Sequence, residues 1–217
     1  MSNIPRRAAF IAIEGLDRSG KTTQVATLQT RLQAEGIPVK LLKFPVDRTT
    51  AIGQMIDSYL RSQSELDDRA IHLLFSANRW ELAASIEQLL AAGTTVVCDR
   101  YAFSGVAFST AKGLSLDWCR SPDVSLPAPD LTLFLDITPE QARSRGGYGE
   151  ERYEKEEMQR KVRDVFHQIS SEFTAATWVT IDAGREREDV AEDVWNFVRQ
   201  LTGGLSSPLE RLWEGKK

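Results

Sequence analysis

The fold of this chain is decided by residues 15–22, which read Gly-Leu-Asp-Arg-Ser-Gly-Lys-Thr. The stretch matches G-x-x-x-x-G-K-[ST], a loop whose main-chain amides converge on a polyphosphate. An apolar run at 8–13 precedes it and is typical of a buried strand. After it, Val25, Leu28 and Leu32 recur on one face of a helix. Strand, loop and helix together predict a phosphate site at a helix N-terminus, and they disfavour a glycine-rich turn that binds nothing.

The residue types in the loop suit ATP and its metal. Gly15 and Gly20 permit positive φ and a close approach of the ligand. Lys21 supplies a mobile charge for the β- and γ-phosphate oxygens, and the hydroxyl of Thr22 is a candidate Mg²⁺ ligand. The predicted phosphate contacts of the loop are Gly15, Ser19, Gly20, Lys21, Thr22 and Thr23.

Asp17 and Arg18 add charge where the phosphate cradle itself needs none. A carboxylate beside an anion site is repulsive unless a cation or a hydroxyl group meets it. An arginine in the loop is able to reach the transferred phosphoryl group as an arginine finger supplied in cis. The alternative is that both side chains point to solvent, and the loop sequence alone leaves this open.

Composition describes an ordinary globular chain. The 217 residues predict one domain, 1–217, with 41% apolar and 27% charged residues. A net charge of −4 argues against an unspecific nucleic-acid binder. Cys98 and Cys119 lack C-x-x-C spacing, so neither a zinc site nor a disulfide framework is predicted. The first seven residues lack a signal-peptide core and no apolar run reaches membrane length, so we expect no membrane partner and a cytoplasmic location.

Strand-like and helix-like segments alternate along the whole chain. This order predicts an α/β fold, a P-loop NTPase-type three-layer sandwich whose five-stranded parallel sheet has helices on both faces. Predicted strands are 8–13, 39–44, 94–98, 131–136 and 178–181, and predicted helices are 21–35, 50–61, 66–91, 114–120 and 186–201. A tail at 203–217 follows the last helix.

The longest predicted helix, 66–91, carries two apolar stripes and is expected to be largely buried. The stripes are Leu66, Ala70, Leu73, Ala77, Trp80 and Ala84, and Ile71, Phe75, Leu82, Ile86 and Leu89. Arg79 lies one turn beyond Phe75, so a flat ring and a hydrogen-bonding fork are available to stack on and read a base. Alternatively, Arg79 extends to solvent or pairs with Glu81 or another carboxylate.

The third predicted strand ends in Asp99 and Arg100. Ligands of open α/β sheets bind at the carboxyl ends of strands, so both residues lie near the phosphate loop if strands one and three are neighbours. Asp99 is a candidate Mg²⁺ ligand through water, and Arg100 is a candidate clamp on phosphate oxygens. A strand-end ion pair without function is the alternative.

A basic, glycine-rich segment at about 143–160 is predicted to be a lid over the phosphates. It contains Arg143, Arg145 and three glycines at 146, 147 and 149, and a mixed-charge run at 150–164 follows. A solvated helix face explains most of that charge. The isolated His72 and His167 are interpreted as non-catalytic.

With these residues collected, the chain resembles the thymidylate kinase family of nucleoside-monophosphate kinases, from about Ala8 to Trp213. The resemblance depends on residues 14–24, 44–45 with Arg48, 74–80 and 99–105. It implies transfer of the ATP γ-phosphoryl group to dTMP with Mg²⁺, and a homodimer that pairs through 101–120. Rival interpretations are a kinase of the same fold with another acceptor, a GTPase, and an idle scaffold. A GTPase would need an N-K-x-D guanine motif, which the sequence lacks.

The resemblance also implies residue roles. Phe75 would stack on thymine and Arg79 would bond its carbonyl edge. Arg48 and Arg100 would grip the acceptor phosphate, and Tyr153 would crowd the 2′ position and so favour deoxyribose. Implied catalytic residues are Asp17, Arg18, Lys21 and Arg100, with Arg145 as an additional ATP contact. Implied substrate contacts are Asp17, Phe44, Arg48, Leu60, Phe75, Arg79, Arg100, Ser104, Gly105, Phe108, Tyr153 and Gln159.

Overall fold

The computed structural model describes residues 6–46, 48–145, 152–153 and 155–214. The strands are β1 (Phe10–Gly15), β2 (Val39–Lys43), β3 (Thr95–Asp99), β4 (Leu131–Asp136) and β5 (Trp178–Asp182). The helices are α1 (Lys21–Ala34), α2 (Ala51–Leu60), α3 (Asp68–Ala91), α4 (Ala102–Ala111), α5 (Leu116–Arg120), α6 (Pro139–Ser144), α7 (Glu156–Ser170) and α8 (Arg187–Val198). All five strands are parallel, in the order β2-β3-β1-β4-β5, which confirms the predicted sheet.

The central strand β1 is buried along its whole length because helices cover both faces of the sheet. It pairs with β3 on one side and β4 on the other, and Ile13 is in register with Asp99. The first and third strands are therefore neighbours, as the site prediction requires. Their carboxyl ends bring the loop after β1 beside Asp99 and Arg100.

The three-layer arrangement is confirmed. The connection from β1 to β2 runs one way across the sheet and the later connections run the other way. Right-handed crossovers then place α1 on one face and α3, α4 and α7 on the other. Accordingly, α1 packs against α8, whereas α4 packs against both α3 and α7.

Helix α1 shows how the phosphate loop becomes a helix. Gly20 has a φ of 92° and ends the loop, and helical geometry begins at Lys21. Val25, Leu28 and Leu32 are buried against the sheet, as their spacing predicts. The first-turn amides of α1 therefore lie next to the loop.

The expectation that both stripes of α3 are buried is wrong. The stripe through Ile71 and Ile86 is buried or partly buried, but Leu73 is 48% exposed and Trp80 is 42% exposed. Ala70 and Ala84 on the same side are also exposed. Helix α3 packs on α2, α4 and β3, and these contacts leave much of this stripe exposed.

The region after β4 contains helix α6, which the sequence analysis did not place, and helix α7, which overlaps the charged run interpreted as a helix face. Helix α6 begins with a capping box between Thr138 and Gln141 and has Pro139 in its first turn. Helix α7 buries Val162, Phe166 and other residues of one side, so the charged run is only its outer face. The lid glycines at 146, 147 and 149 lie outside the described residues.

The C-terminal tail packs back on the domain. Leu205 forms an antiparallel bridge with Arg7, Arg211 forms one with Pro127, and Trp213 is buried. Among the described residues, no helix combines the length and apolarity needed to cross a membrane.

Candidate active site

A single cleft of ≈ 890 Å³ lies at the carboxyl ends of β1 and β3 and brings most of the predicted residues together. Predicted residues in its wall are Asp17, Arg18, Ser19, Gly20, Lys21, Thr22, Thr23, Phe44, Arg48, Leu60, Phe75, Arg79, Asp99, Arg100, Ser104, Gly105, Phe108, Arg145 and Tyr153. The other two, Gly15 and Gln159, lie behind the wall. Residues far apart in the chain thus form one continuous surface.

The phosphate loop has a backbone that few side chains would permit. Gly15 has a φ of 149°, and a Cβ there would lie 2.6 Å from the Leu135 carbonyl oxygen and 2.7 Å from Ser19 Oγ. Arg18 has a φ of 62°, in the left-handed region that costs energy for residues other than glycine. Glycine at 15 is therefore needed for packing on β4.

Lys21 lies folded beneath the loop. Its Nζ donates to the Leu16 carbonyl oxygen at 2.5 Å and lies 3.4 Å from Ser19 Oγ. Burial, aided by the charge of Arg100, lowers the pKa of Lys21 to about 7. The ammonium group thus lacks enough negative charge around it. An anion bound in the loop would supply that charge and favour the protonated form of Lys21.

The side chains of Thr22 and Asp99 are hydrogen-bonded to each other at the bottom of the cleft. Thr22 Oγ1 donates to Asp99 Oδ2 at 2.7 Å, and Lys43 Nζ lies 4.0 Å from the same carboxylate. Among the described residues there is no cluster of three or more acidic, histidine or cysteine ligands. Mg²⁺ with a nucleotide is bound through one or two protein oxygens, waters and phosphates, so this hydroxyl–carboxylate pair fits it.

Arg100 connects β3 to the phosphate loop. Its Nη1 donates to the Gly15 carbonyl oxygen at 2.9 Å and to Ser104 Oγ at 3.1 Å, and its Nη2 donates to the Asp17 carboxylate. The guanidinium carbon also lies 5.3 Å from the ring centre of Phe108. Asp17 therefore has the cation that a carboxylate next to an anion site requires.

Glu14 is a site residue that the sequence reasoning left without a role. Its buried carboxylate accepts bonds from the amides of Tyr101 and Ser104, at 2.9 and 3.1 Å, and from Ser104 Oγ at 2.5 Å. Burial raises the pKa of Glu14, against the opposing effect of the Ser104 and Arg100 interactions. Glu14 thereby anchors the turn that carries Arg100. The sequence signal that could have pointed to Glu14 is a carboxylate within an otherwise apolar strand.

At the opposite end of the cleft, Arg79 pairs with Asp123 instead of Glu81. Both side chains are buried, and two hydrogen bonds of 3.1 and 2.5 Å join them. Glu81 instead accepts a bond from Asn78. Phe75 lies one turn before Arg79 on the same cleft wall. Asp123 was missed because nothing in its local sequence indicates a contact with α3.

Arg48 and Tyr153 approach the cleft between these two ends. Arg48 Nη1 donates to Asp57 Oδ1 at 2.5 Å, and the same carboxylate also binds Arg61. The Tyr153 ring packs at 5.3 Å from Phe108, and burial raises the pKa of its hydroxyl well above the ordinary value. The hydroxyl therefore stays protonated at any physiological pH.

Gln159 and Arg145 connect the predicted lid region to the phosphate loop. Gln159 is fully buried, accepts from the Asp17 amide at 3.0 Å and donates to the Asp17 carboxylate at 2.8 Å. Its position is behind Asp17, not in the cleft wall where a substrate contact was expected. Arg145 donates to the carbonyl oxygens of Arg18 and Ala183, so it bridges the phosphate loop and the end of β5.

The loop after β5 is a further part of the wall that sequence reasoning missed. Residues 183–187 border the phosphate loop, and Gln24 Nε2 donates to the Arg187 carbonyl oxygen at 3.0 Å. The fifth strand ends at the same edge of the sheet as β1. The general rule that ligands bind at these strand ends was the signal that would have found it.

Comparisons with known proteins agree with this geometry. The family model described as thymidylate kinase matches residues 13–194. A thymidylate kinase of Schizosaccharomyces pombe is 51% identical over 197 residues, covering 90% of this chain and 93% of that protein. One of Arabidopsis thaliana is 48% identical over 216 residues, covering 98% of this chain and 80% of that protein.

A solved structure of thymidylate kinase from Candida albicans superimposes with a TM-score of 0.85 at 39% sequence identity. The alignment covers 94% of this chain and 98% of that structure. The family match extends through the phosphate loop, Arg79 and the Asp99–Arg100 turn. From its sequence, its fold and the composition of its cleft, this chain belongs to the thymidylate kinase family.

Proposed function

We propose that this chain transfers the γ-phosphoryl group of ATP to dTMP, giving ADP and dTDP for dTTP synthesis. The single observation that carries this is the shape of the cleft. A phosphate loop lies at one end, an aromatic ring with a guanidinium lies at the other, and Arg100 lies between them. Such a cleft holds a triphosphate and a base-bearing monophosphate with their phosphates facing each other.

The ATP phosphates occupy the phosphate loop in this proposal. The amides of residues 18–23 and Lys21 bind the phosphate oxygens, and Arg145 closes the side next to β5. Arg18 stabilises the moving phosphoryl group. Thr22 and Asp99 would hold Mg²⁺, which would supply charge neutralisation for the ATP phosphates.

The dTMP molecule occupies the rest of the cleft. Phe75 stacks on the thymine ring and Arg79 donates to its carbonyl edge. Arg48 and Arg100 bind the acceptor phosphate, and Asp17 lies near the sugar hydroxyl. Tyr153 fills the space beside the 2′ carbon. Phe44, Leu60, Ser104, Gly105 and Phe108 complete the wall.

Catalysis needs no general base because the attacking phosphate oxygen is already anionic. The residues act by alignment and by neutralising the charge that the two phosphates bring together. Arg100 is well placed for this because it touches the loop at Gly15 and Asp17 and also faces the acceptor side. Gln159 holds Asp17 from behind.

The decisive test is an acceptor panel with ATP and Mg²⁺. We expect ADP formation that depends on added dTMP, with weaker rates for dUMP, CMP and GMP. ADP release at equal rates without an acceptor would contradict the proposal. Preference for another monophosphate would favour the rival interpretation, a kinase of the same fold with a different acceptor.

We also propose that the chain acts as a homodimer. In the segment 101–120, through which pairing is expected, residues 101–109 are mostly buried within the chain and Phe108 lines the cleft, whereas 110–120 are mostly partly buried or exposed. The exposed stripe of α3 around Leu73 and Trp80 is a better candidate face, because adjacent exposed apolar residues are typical of interfaces.

Sedimentation tests the dimer proposal. Leu73→Glu should yield monomers, whereas Phe197→Glu, which alters an exposed aromatic residue on α8, should not. A monomeric wild-type chain would contradict it.

We propose, finally, that residues 1–217 act as one domain, with the lid at about 143–160, and that the enzyme is cytoplasmic. The single sheet and the packed tail support the first point. Cys98 and Cys119, both buried free thiols, suit a reducing compartment. Imaging of a tagged chain in its own cells tests the location.

A further inference from the structure

Arg79, the cation at the nucleobase end of the cleft, is paired with Asp123, a carboxylate outside the cleft wall. Arg79 Nε donates to Asp123 Oδ1 at 3.1 Å, and Arg79 Nη2 donates to Asp123 Oδ2 at 2.5 Å. The side chains are 3% and 0% exposed. A buried ion pair contributes little net stability because both charges lose their hydration. Its presence here therefore suggests a role in recognition.

Asp123 is held firmly by α3. Ser76 Oγ donates to Asp123 Oδ1 at 2.7 Å, and it also lies 3.0 Å from the Pro122 carbonyl oxygen. Trp80 Nε1 donates to the same carbonyl at 2.7 Å. The 3₁₀ turn Ser121–Asp123 is thus fastened to the helix that carries Arg79. The carboxylate of Asp123 is therefore held in one position, and its two bonds to Arg79 restrict the orientation of the guanidinium.

The two terminal nitrogens of the Arg79 guanidinium lie close to α4 at Gly105. A Cβ built on Gly105 would lie 2.9 Å from both Nη1 and Nη2 of Arg79 and 3.2 Å from its Cζ. Any larger residue would therefore push the guanidinium away. Asp123 holds Nε and Nη2 of Arg79, and the missing side chain at 105 leaves room for the Nη1–Nη2 edge beside α4.

These contacts leave one nitrogen of Arg79 for a ligand. Asp123 engages Nε and Nη2, and within the described ranges no hydrogen bond engages Nη1. Arg79 and Gly105 line the cleft, whereas Asp123 does not. An N–H group in a fixed position donates a hydrogen bond to a ring carbonyl oxygen but not to an amino group, which presents its own N–H.

We infer that Asp123, together with Gly105, is a positioning element that fixes Nη1 of Arg79 as a donor and so selects 4-keto over 4-amino pyrimidine monophosphates. The inference rests on the proposed function, because it assumes that the base lies against Arg79. Neither residue performs chemistry. Asp123 acts only through Arg79, and its loss would release the fork to other orientations.

The first variant is Asp123→Asn, which keeps the shape and removes the charge. We expect the KM for dTMP to rise about tenfold, with kcat within about threefold and the KM for ATP within about twofold. The ratio of kcat/KM for dTMP over dCMP should fall by about tenfold, since the donor is no longer fixed.

A matched control is Asp130→Asn. Asp130 forms a two-bonded pair with Arg7, both bonds 2.7 Å, away from the cleft. This change should lower the Tm as Asp123→Asn does, but leave both KM values and the dTMP:dCMP ratio unchanged. It separates loss of stability from loss of positioning.

The second variant, Gly105→Ala, decides the matter if Asp123→Asn does not fold. It leaves both charges in place and raises the helix propensity of α4, and a Tm measurement checks that the variant is folded. The added methyl group displaces the guanidinium, and we expect the same rise in the KM for dTMP and the same loss of base discrimination. An unchanged KM and dTMP:dCMP ratio in Gly105→Ala would overturn the inference.

The wild-type acceptor panel keeps the two proposals apart. If the parent chain does not prefer dTMP, the proposed function fails, whatever the variants show. If the parent prefers dTMP and neither variant alters base discrimination, the function stands and the positioning role is refuted.

Discussion

The phosphate end and the base end of the cleft are built on different principles. The centre of the phosphate end is one continuous stretch, in which a strand, a loop and the first turn of a helix supply main-chain amides. The base end comes from α3, α4 and a 3₁₀ turn, and its key pair joins residues 44 positions apart. One end depends on backbone geometry and the other on side chains fixed by tertiary packing.

The two cations of these ends differ in the same way. Lys21 is buried next to a carbonyl oxygen, with no carboxylate in hydrogen-bonding contact among the described residues, and its pKa is lowered to about 7. Arg79 is fully matched by Asp123. A cation that must follow a moving phosphoryl group gains from being uncommitted, whereas a cation that reads a base gains from being fixed. Variants at the phosphate end should therefore mainly lower kcat, whereas variants at the base end should mainly raise the KM for dTMP.

The largest effect is expected for Lys21→Ala. Loss of the charge that meets the transferred phosphoryl group should lower kcat by at least about a hundredfold. The fold should survive, because the substitution removes a buried charge. Steady-state kinetics and circular dichroism check both points. Lys43→Ala, which removes an exposed cleft lysine near Asp99, is the control and should cost much less. Turnover within a few-fold of the parent would refute the role of Lys21.

The second effect is expected for Arg79→Ala and concerns binding. The KM for dTMP should rise about tenfold or more, while the KM for ATP changes little. The variant also leaves Asp123 buried without its partner, at a cost of about 3–5 kcal/mol in the free energy of unfolding.

The double variant Arg79→Ala/Asp123→Ala distinguishes these two consequences. It should regain much of the lost thermal stability but none of the affinity for dTMP. If the KM for ATP rises and that for dTMP does not, Arg79 does not belong to the base end.

The same contrast explains how much could be predicted from the sequence. The phosphate loop was predictable because its residues are contiguous and their tasks depend on local backbone conformation. The loop at 183–187 that borders it was missed, because it comes from a distant part of the chain. The strand order needed for Asp99 and Arg100 followed from general rules for parallel sheets, and it is confirmed.

The base end was only half predictable. Helical spacing placed Phe75 and Arg79 together, but the partner of Arg79 comes from a turn with no motif of its own. Spacing likewise could not tell which apolar stripe of α3 the domain would bury, because Leu73 and Trp80 resemble core residues in sequence. Burial depends on where the helix lies in its layer, and that is a property of the whole fold.

A smaller effect is expected for Gln159→Ala. Gln159 holds Asp17 through its amide and its carboxylate, and it also donates to the Tyr153 carbonyl oxygen at 2.9 Å. Its loss should lower kcat by a few-fold, because Asp17 and Arg100 would be less well positioned. Base discrimination between dTMP and dCMP should stay at the parental value. Altered discrimination would mean that the two ends are less independent than the structure indicates.

The smallest effect concerns pH, and it too separates the two ends. His72, next to the base end, bonds Ser109 Oγ and the Cys119 carbonyl oxygen, both at 2.8 Å, and burial together with Arg79 lowers its pKa. Below about pH 6.5 the unfolded chain therefore binds more protons at His72 than the folded chain, and stability falls as the solution becomes more acidic. Lys21 has a folded pKa of about 7 and a reference value of 10.5, so its contribution rises with pH between those values.

Urea midpoints of the parent, His72→Gln and Lys21→Met across this pH range should separate the two contributions. His72→Gln retains a donor and an acceptor but does not titrate, so its midpoint should fall less than that of the parent between pH 7 and pH 5. Lys21→Met should lose the rise above pH 7 and keep the acid-side fall. Buried Glu14, whose raised pKa opposes the His72 effect on the acid side, is common to all three chains and cancels in the differences. Parallel pH profiles for the parent and His72→Gln would show that His72 is not the group responsible, and the acid sensitivity would then have to come from another buried group.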